Sequence, residues 1–318
     1  MPVVIQDVGL RLAGLATFDR ISGINLKKLF FLTLLPALLL FSACKSETVS
    51  RTVFSQASSS GEALLRKVPS NENLAVVLLN PQEMRKVAQL RIDSDSLFGG
   101  IETLFEPRTG IARQTTTLGS STNVVAAIIE PRIESVTTIV NGSFSGFHVS
   151  NDTGESYRNI FISDGQVEQA RVFSSFVDKQ TFVFGPAQTT VKSVIDTIKD
   201  KRSSAYGQME AAFGHIDIGF LMLIQSGEAN QESAPLNLKG LTITAVSANV
   251  VDDASSSVTY YLAFDVETDA VAAENNLSSI QRLAVLTGLS RISNYELKRT
   301  NKVLIVKFNV PHAEVAKL

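Results

Sequence analysis

The chain has 318 residues, with 29 basic and 31 acidic side chains, and its formal net charge at pH 7 is −2. No run of Lys and Arg stands out, which argues against nucleic acid as a partner. Cys44 is the single cysteine, so the chain contains no internal disulfide. This length is enough to bury a substantial core, as one large domain or two small ones.

Residues 27–44 carry the clearest signal in the sequence. Lys27 and Lys28 precede an apolar run of 13 residues (29–41), and the small residues Ser42 and Ala43 then lead to Cys44. A helix that crosses a bilayer needs about 20 apolar residues, whereas the core of a secretory signal has about 7–15. The pattern therefore predicts a signal peptide that is cleaved just before Cys44.

The segment Leu40-Phe41-Ser42-Ala43-Cys44 resembles the bacterial lipobox, with Phe41 at a position that more often holds an aliphatic residue. The resemblance implies cleavage between Ala43 and Cys44. It also implies diacylglycerol on the Cys44 sulfur and a fatty acyl chain such as palmitate on its new amino group. Three buried chains hold a protein at a membrane, since each buried CH₂ contributes about 0.8 kcal/mol. An ordinary secretory signal or an N-terminal anchor helix are the alternatives.

Two further expectations concern the ends of this signal. In the enterobacterial sorting pattern, Asp after the lipidated cysteine retains a lipoprotein at the inner membrane; Lys45 stands there, which favours the outer membrane. Residues 1–25 do not fit a signal peptide, because they contain Asp7 and Asp19 and make the basic region too long. Our hypothesis is that translation starts at residue 26, and a precursor peptide covering residues 6–20 would contradict it.

The first half of the chain after the signal predicts a tether and then an α+β unit. Residues 44–62 are rich in Ser and Thr and indicate a flexible tether, with an ordered arm as the alternative. Folded structure is expected from about residue 62, with a first unit at 63–203. Asn80, Pro81 and Glu83 predict a capped helix start after a buried strand at 74–79. Further strands are predicted at 123–129, 136–144, 157–162, 172–177 and 181–184, with a turn signal at 141–142 and a helix at about 191–198.

The second unit, 204–318, is expected to follow a similar pattern. A helix at 205–213 precedes strands at 216–224, 241–250 and 258–267. A helix at about 268–286 and a hairpin of strands 292–299 and 303–310 come next, and a last short helix is predicted to begin at Pro311. The predicted fold class is therefore α+β, with antiparallel sheets and packed amphipathic helices. In each half a strand-rich stretch precedes a helix, which suggests two structural repeats with a boundary near residue 203.

Two stretches of the first half resemble a broad group of bacterial envelope proteins. These are VPSNENLAVVLLNP (residues 68–81) and VFSSFVDKQTFVFGPAQTTVKSVIDTI (residues 172–198). The group has no established activity, so the resemblance implies a location in the cell envelope and nothing about chemistry.

A search for chemistry finds no complete motif. His148, His215 and His312 are far apart, without metal-ligand spacing, and no phosphate-binding glycine motif is present. Residues 142–146 (GSFSG) place Phe144 where a nucleophile elbow requires Ser. Residues 93–104 begin like a calcium loop but lack its Gly and Glu, and Asp252-Asp253 indicates a solvated hairpin tip. No cofactor or metal site is predicted.

We therefore expect a non-catalytic, lipid-anchored envelope protein that acts by protein–protein interaction, as a scaffold or assembly factor. Its expected partners are the membrane, through Cys44, and an unidentified envelope protein. One alternative is binding of a lipid or another apolar ligand, suggested by the apolar strands at 74–79 and 216–224. A second alternative is a hydrolase that uses carboxylates brought together by folding, a pairing that leaves no sequence motif.

Overall fold

The computed structural model describes residues 55–70, 75–85, 87, 105–107, 121–130, 135–144, 147–149, 153–167, 170–227 and 238–315. The signal peptide, Cys44 and the residues up to 54 lie outside this part of the chain, as do residues 93–104. Within the described residues, no helix is both long enough and apolar enough to cross a bilayer.

The first half contains three helices and nine strands within the described residues. In chain order they are α1 (Ser55–Leu65), β1 (Ala75–Leu79), α2 (Pro81–Arg85), β2 (Phe105–Pro107), β3 (Thr122–Glu130), β4 (Ser135–Gly142), β5 (Phe147–Val149), β6 (Gly154–Tyr157), β7 (Ile160–Val167), β8 (Ala170–Asp178), β9 (Thr181–Gly185) and α3 (Gln188–Asp200).

The described part of the second half begins with a helix and then adds five strands. Its elements are α4 (Ala205–Phe213), β10 (Leu221–Ser226), β11 (Leu241–Val250), β12 (Ser255–Phe264), α5 (Glu267–Asn276), α6 (Ile280–Thr287), β13 (Ser293–Thr300), β14 (Val303–Pro311) and α7 (His312–Val315). The fold class is thus α+β, as the sequence predicts.

Twelve of the strands form a single antiparallel sheet. Their order across the sheet is β13-β14-β12-β11-β10-β1-β3-β4-β9-β8-β7-β6, while β2 and β5 form a separate pair. Strand β1 lies between β10 and β3, so the two halves of the chain meet where β1 pairs with β10. One cross-strand row on a single face of the sheet runs through Gly154, Ser163, Ser174, Phe184, Thr138, Ala127, Val77, Leu223, Val246, Tyr260, Val306 and Leu297.

The sheet separates two apolar cores. The face that carries Val77 and Leu223 packs against α5 and α6 through Ala273, Leu277 and Leu283. The opposite face packs against α1, α3 and α4 through the core residues Leu64, Leu65, Val191, Val194, Ile195, Ala205 and Met209. Because β1 and β10 are covered on both sides, they read as continuous apolar runs.

Several sequence predictions are confirmed in detail. The Asn80 side chain caps α2, since the Glu83 amide donates to Asn80 Oδ1 over 3.1 Å. The last hairpin turns at Asn301 and Lys302, and α7 follows Pro311. The helices predicted at about 191–198 and at 205–213 are α3 (Gln188–Asp200) and α4 (Ala205–Phe213).

Other predictions are wrong, each for a local reason. Helix α1 begins at Ser55 rather than near residue 62, so the predicted tether overlaps a helix. The strand predicted at 157–162 is a hairpin, because Arg158 and Asn159 both adopt positive φ (52° and 62°) and turn the chain. The helix predicted at 268–286 is two helices, separated because the Ser279 side chain caps α6 by accepting from the Arg282 amide.

The turn predicted at Asn141-Gly142 is also wrong. Strand β4 continues through both residues, and Asn141 pairs with Thr181 of β9. The Gly142 amide donates to the Gln180 carbonyl over 2.9 Å. Glycine is required here for space, because a Cβ atom at position 142 would lie 2.1 Å from the Ser121 carbonyl oxygen.

Candidate functional site

The candidate residues from the sequence that the structure describes do not lie together in one site. Cys44 and Ala43 lie outside the described residues, so lipidation stays a prediction. His148 and His215 are exposed, while His312 is buried. Phe144, from the GSFSG segment, is buried against Phe147, Phe176 and Phe182. Among the described residues, no three His, Cys, Asp or Glu side chains are grouped to hold a metal ion.

Folding brings His312 against Ser256, a pairing with no signature in the sequence because the residues are 56 positions apart. Ser256 Oγ lies 2.8 Å from His312 Nδ1, and His312 Nε2 lies 2.9 Å from the Asp252 carbonyl oxygen. A carbonyl only accepts, so Nε2 carries the proton and Nδ1 accepts from the Ser256 hydroxyl. Burial lowers the pKa of His312 below its ordinary value of 6.5, which favours this neutral form.

A serine hydroxyl on an imidazole is the pairing of nucleophile and base used in hydrolases. Here Ser256 has no exposed surface, and a main-chain carbonyl occupies the orienting position. The Asp252 carboxylate serves the turn between β11 and β12, where Oδ1 accepts from the Ala254 and Ser255 amides. These bonds lower the pKa of Asp252. The group therefore fastens this turn to the start of α7.

A charged network fastens the β6–β7 hairpin to α3. Arg158 Nε lies 2.8 Å from Asp196 Oδ1, and Arg202 Nη1 lies 3.1 Å from Asp196 Oδ2. The same two arginines contact Asp200, and the hydrogen bond from Arg158 lowers the pKa of that carboxyl. Both carboxylates are paired with guanidinium groups, so the network holds the hairpin, α3 and the residues just after α3 together.

The exposed apolar residues are concentrated in one segment of the chain, on and just before α5 and α6. Of the seven large apolar side chains that the described residues expose, five lie there: Val266, Val271, Ile280, Val285 and Leu286. Val285 is 83% exposed, far more than the others. The sequence predicts one helix over this segment, and a single helical periodicity does not indicate the outward apolar residues of two helices.

The helices can expose these residues because others already anchor them to the sheet. Ala270, Ala273 and Leu277 of α5 and Leu283 of α6 are buried in the core below. The outward residues are thus not needed to hold the helices on the sheet. We call these five residues the α5–α6 surface: Val266, Val271, Ile280, Val285 and Leu286.

The charges around the α5–α6 surface are balanced. Arg299 of β13 contacts Glu274 at 2.7 Å and Glu267 at 3.0 Å, and Lys239 lies 3.6 Å from Asp269. The hydrogen bond to Glu274 raises the pKa of Arg299. An apolar centre with a polar rim of both signs is the usual composition of a protein–protein interface.

Comparisons with known proteins assign no family. No protein-family model matches the chain, and no curated protein matches its sequence. Solved structures of TP0453 in crystal forms I and III align with 79% of this chain, covering 94% and 95% of that chain, at 10% and 11% sequence identity. Their TM-scores are 0.43 and 0.45. Crystal form IV gives 12% identity and a TM-score of 0.43. Similarity at this level assigns no function to the chain.

Proposed function

We propose that this protein is a non-catalytic, lipid-anchored protein of the bacterial cell envelope that binds another protein, as a scaffold or assembly factor. The observation that carries the proposal is the α5–α6 surface, with Val285 at its most exposed point. The anchor rests on the similarity of residues 40–44 to a lipobox. Lys45 after the cysteine favours the outer membrane.

The charge balance favours a protein partner over the membrane for this surface. Helices that lie on a bilayer are rich in Lys and Arg on their polar side, which attracts anionic lipids. Helix α6 contains one basic residue, Arg282, and α5 contains three acidic residues and none that is basic. A neutral to acidic rim around an apolar centre suits a protein surface of complementary shape.

One alternative is a hydrolase, which requires a nucleophile and a base that the fold brings together. The described group nearest to such chemistry is Ser256 with His312, and both side chains are almost fully buried. Replacing Ser256 with Ala would abolish activity in a hydrolase built on this pair. In our account it changes stability alone.

Binding of an apolar ligand is the other alternative. Its original motivation, the apolar runs in β1 and β10, has a sufficient explanation in the two cores that cover both faces of these strands. Native mass spectrometry of the chain from Lys45, which lacks the lipidation site and is purified from bacteria, distinguishes ligand binding from protein binding. A stoichiometric bound lipid would support the ligand alternative, and a chain free of bound lipid would support our proposal.

The interaction is tested by one exposed substitution and a matched control. Val285→Glu places a charge at the most exposed residue of the α5–α6 surface, and Val251→Glu places one at the β11–β12 turn, where Val251 is 42% exposed. The partner should be captured from envelope extracts by the wild type and by Val251→Glu. It should be lost with Val285→Glu, and the purified pair should show the same difference. Equal capture by both variants would contradict the proposal.

We also propose that the two halves are structural repeats. The order β1-β3-β4-β9-β8 parallels β10-β11-β12-β14-β13, and a helix precedes each series, α1 and α4. Strands β5–β7 occupy the position in the first half that α5 and α6 occupy in the second. An experimental structure in which these two series of strands fail to superpose in this order would contradict the proposal.

A further inference from the structure

Strand β13 forms one edge of the sheet. It spans Ser293–Thr300, pairs with β14 and with no other strand among the described residues, and is partly or fully exposed at every residue. Such an edge presents free backbone N–H and C=O groups that can pair with another strand. The opposite edge, β6, spans only Gly154–Tyr157, so β13 offers the longer template.

The alternation of hydrogen-bonded and non-bonded residue pairs in the β13–β14 hairpin shows which residues of β13 present N–H and C=O groups at the free edge. Strands β13 and β14 are joined by a two-residue turn, with Thr300 opposite Val303. The closing pair of such a hairpin exchanges hydrogen bonds, and bonded and non-bonded pairs then alternate. Arg299 and Leu297 consequently direct their N–H and C=O groups away from β14, toward the free edge.

The charges of β13 are complementary to a second copy of β13. Glu296 and Lys298 flank Leu297 and lie on the same face of the sheet. In an antiparallel pair of two copies centred on Leu297, each Glu296 lies opposite the other copy's Lys298. If the two strands were instead centred on Glu296 or on Lys298, two like charges would lie opposite each other. The register centred on Leu297 is therefore favoured.

Helix α5 lies above this edge and connects it with the α5–α6 surface. Arg299 bonds Glu274 and Glu267, and the Tyr295 hydroxyl donates to the Leu277 carbonyl. Positions 267, 271 and 274 share one stripe of the helix. Val271, 38% exposed, therefore lies on the side of α5 that faces β13.

The chain already contains one junction of this kind. Strands β1 and β10, one from each half, pair antiparallel in the middle of the sheet. Helices α1 and α4 lie together on one face of that junction, where Arg66 sits 4.1 Å from the ring centre of Tyr206.

We propose that two copies of this chain associate through β13, with Leu297 on the two-fold axis, so that the two sheets become continuous and the two α5–α6 surfaces meet over the junction. This inference rests on the proposed function and names a second copy as the partner of that surface. Leu297 pairs with its counterpart by two backbone hydrogen bonds, and Glu296 faces Lys298 twice.

A charge-exchange series in sedimentation equilibrium tests the pairing. The chain from Lys45 to Leu318, which contains every described residue, should dimerise at about 0.1 mM, where a micromolar Kd gives mostly dimer. Glu296→Lys alone and Lys298→Glu alone should each weaken the dimer by roughly tenfold or more. The combined Glu296→Lys and Lys298→Glu variant should restore it.

The double variant separates the dimer contact from a contact within one chain. Glu296 also lies opposite Lys307 of β14, and the double variant, like Glu296→Lys alone, leaves two lysines opposite each other there. Recovery of the dimer therefore reports the pairing between copies. A wild-type monomer at about 0.1 mM, or a double variant as weak as the single variants, would overturn the inference.

A cysteine on the two-fold axis gives an independent test. The chain from Lys45 has no native cysteine, so Leu297→Cys supplies its single thiol. Residues opposed in a bonded antiparallel pair have Cα atoms about 5.5 Å apart, within the range of a disulfide. Mild oxidation should give a covalent dimer with Leu297→Cys and monomer with Thr300→Cys, and equal yields would contradict the inference. If no dimer forms while Val285→Glu still abolishes capture of another protein, this inference fails and the proposed function stands.

Discussion

Ser256 Oγ lies 2.8 Å from His312 Nδ1, and this bond joins the start of β12 to the first residue of α7. His312 Nε2 reaches the Asp252 carbonyl at the same time. One imidazole therefore ties together the β11–β12 turn, strand β12 and the last described helix. The turn carboxylates Asp252 and Asp253 favour the protonated form of His312, but burial outweighs them and lowers the pKa.

The first prediction follows from that lowered pKa. In the unfolded chain His312 takes up a proton near its ordinary value of 6.5, and in the folded chain it does so only at lower pH. The contribution of neutral His312 to stability is thus complete above pH 6.5 and is lost as the pH falls toward the folded-state pKa. In thermal melts, the melting temperature of the wild type should fall more steeply below about pH 6.5 than that of His312→Gln. Parallel pH profiles would contradict the prediction.

Gly142 and Gly207 form a matched pair for a test of packing. A Cβ atom at 142 would lie 2.1 Å from a backbone oxygen, whereas at 207 its nearest neighbour is Ser204 Oγ at 3.6 Å. Gly142→Ala should lower the free energy of unfolding by about 2 kcal/mol or more, because backbone must move. Gly207→Ala, in helix α4, should raise it by up to about 1 kcal/mol. Denaturant titration measures both, and equal effects would show that the β3–β4 contact is looser than described.

The break between α5 and α6 depends on a cap. Ser279 accepts from the Arg282 amide and satisfies one of the free N–H groups at the start of α6. Ser279→Ala should cost about 1 kcal/mol of stability, while the exposed Ser203→Ala should cost almost nothing. A neutral Ser279→Ala would instead favour a segment without a fixed break.

The anchor is tested by labelling cells with a fatty acid. The wild type should incorporate labelled palmitate and sediment with membranes. Cys44→Ala should incorporate none, because the thiol is the attachment point that the lipobox resemblance implies. Label retained in Cys44→Ala would contradict lipidation at this residue.

Local sequence patterns predict most of the helices and strands, but they do not predict the contacts between them. The Asn80 cap, the β13–β14 hairpin and helices α3 and α4 depend on neighbouring residues, so their signals are present in the sequence. The hairpin at Arg158-Asn159 was missed because Arg rarely adopts positive φ. The strand order, the Ser256–His312 pair and the outward residues of α5 and α6 depend on contacts between distant parts of the chain, for which a single sequence has no signal.

The central claim is that the α5–α6 surface binds protein, and photo-crosslinking in intact cells tests it most directly. A photoreactive residue at position 285, 83% exposed, is compared with one at the exposed Val251 of the β11–β12 turn. We expect a discrete protein adduct from 285 and none from 251, and an adduct of twice the chain mass would identify a second copy. An unmodified chain or a lipid adduct alone from 285, or the same adducts from both positions, would contradict the claim.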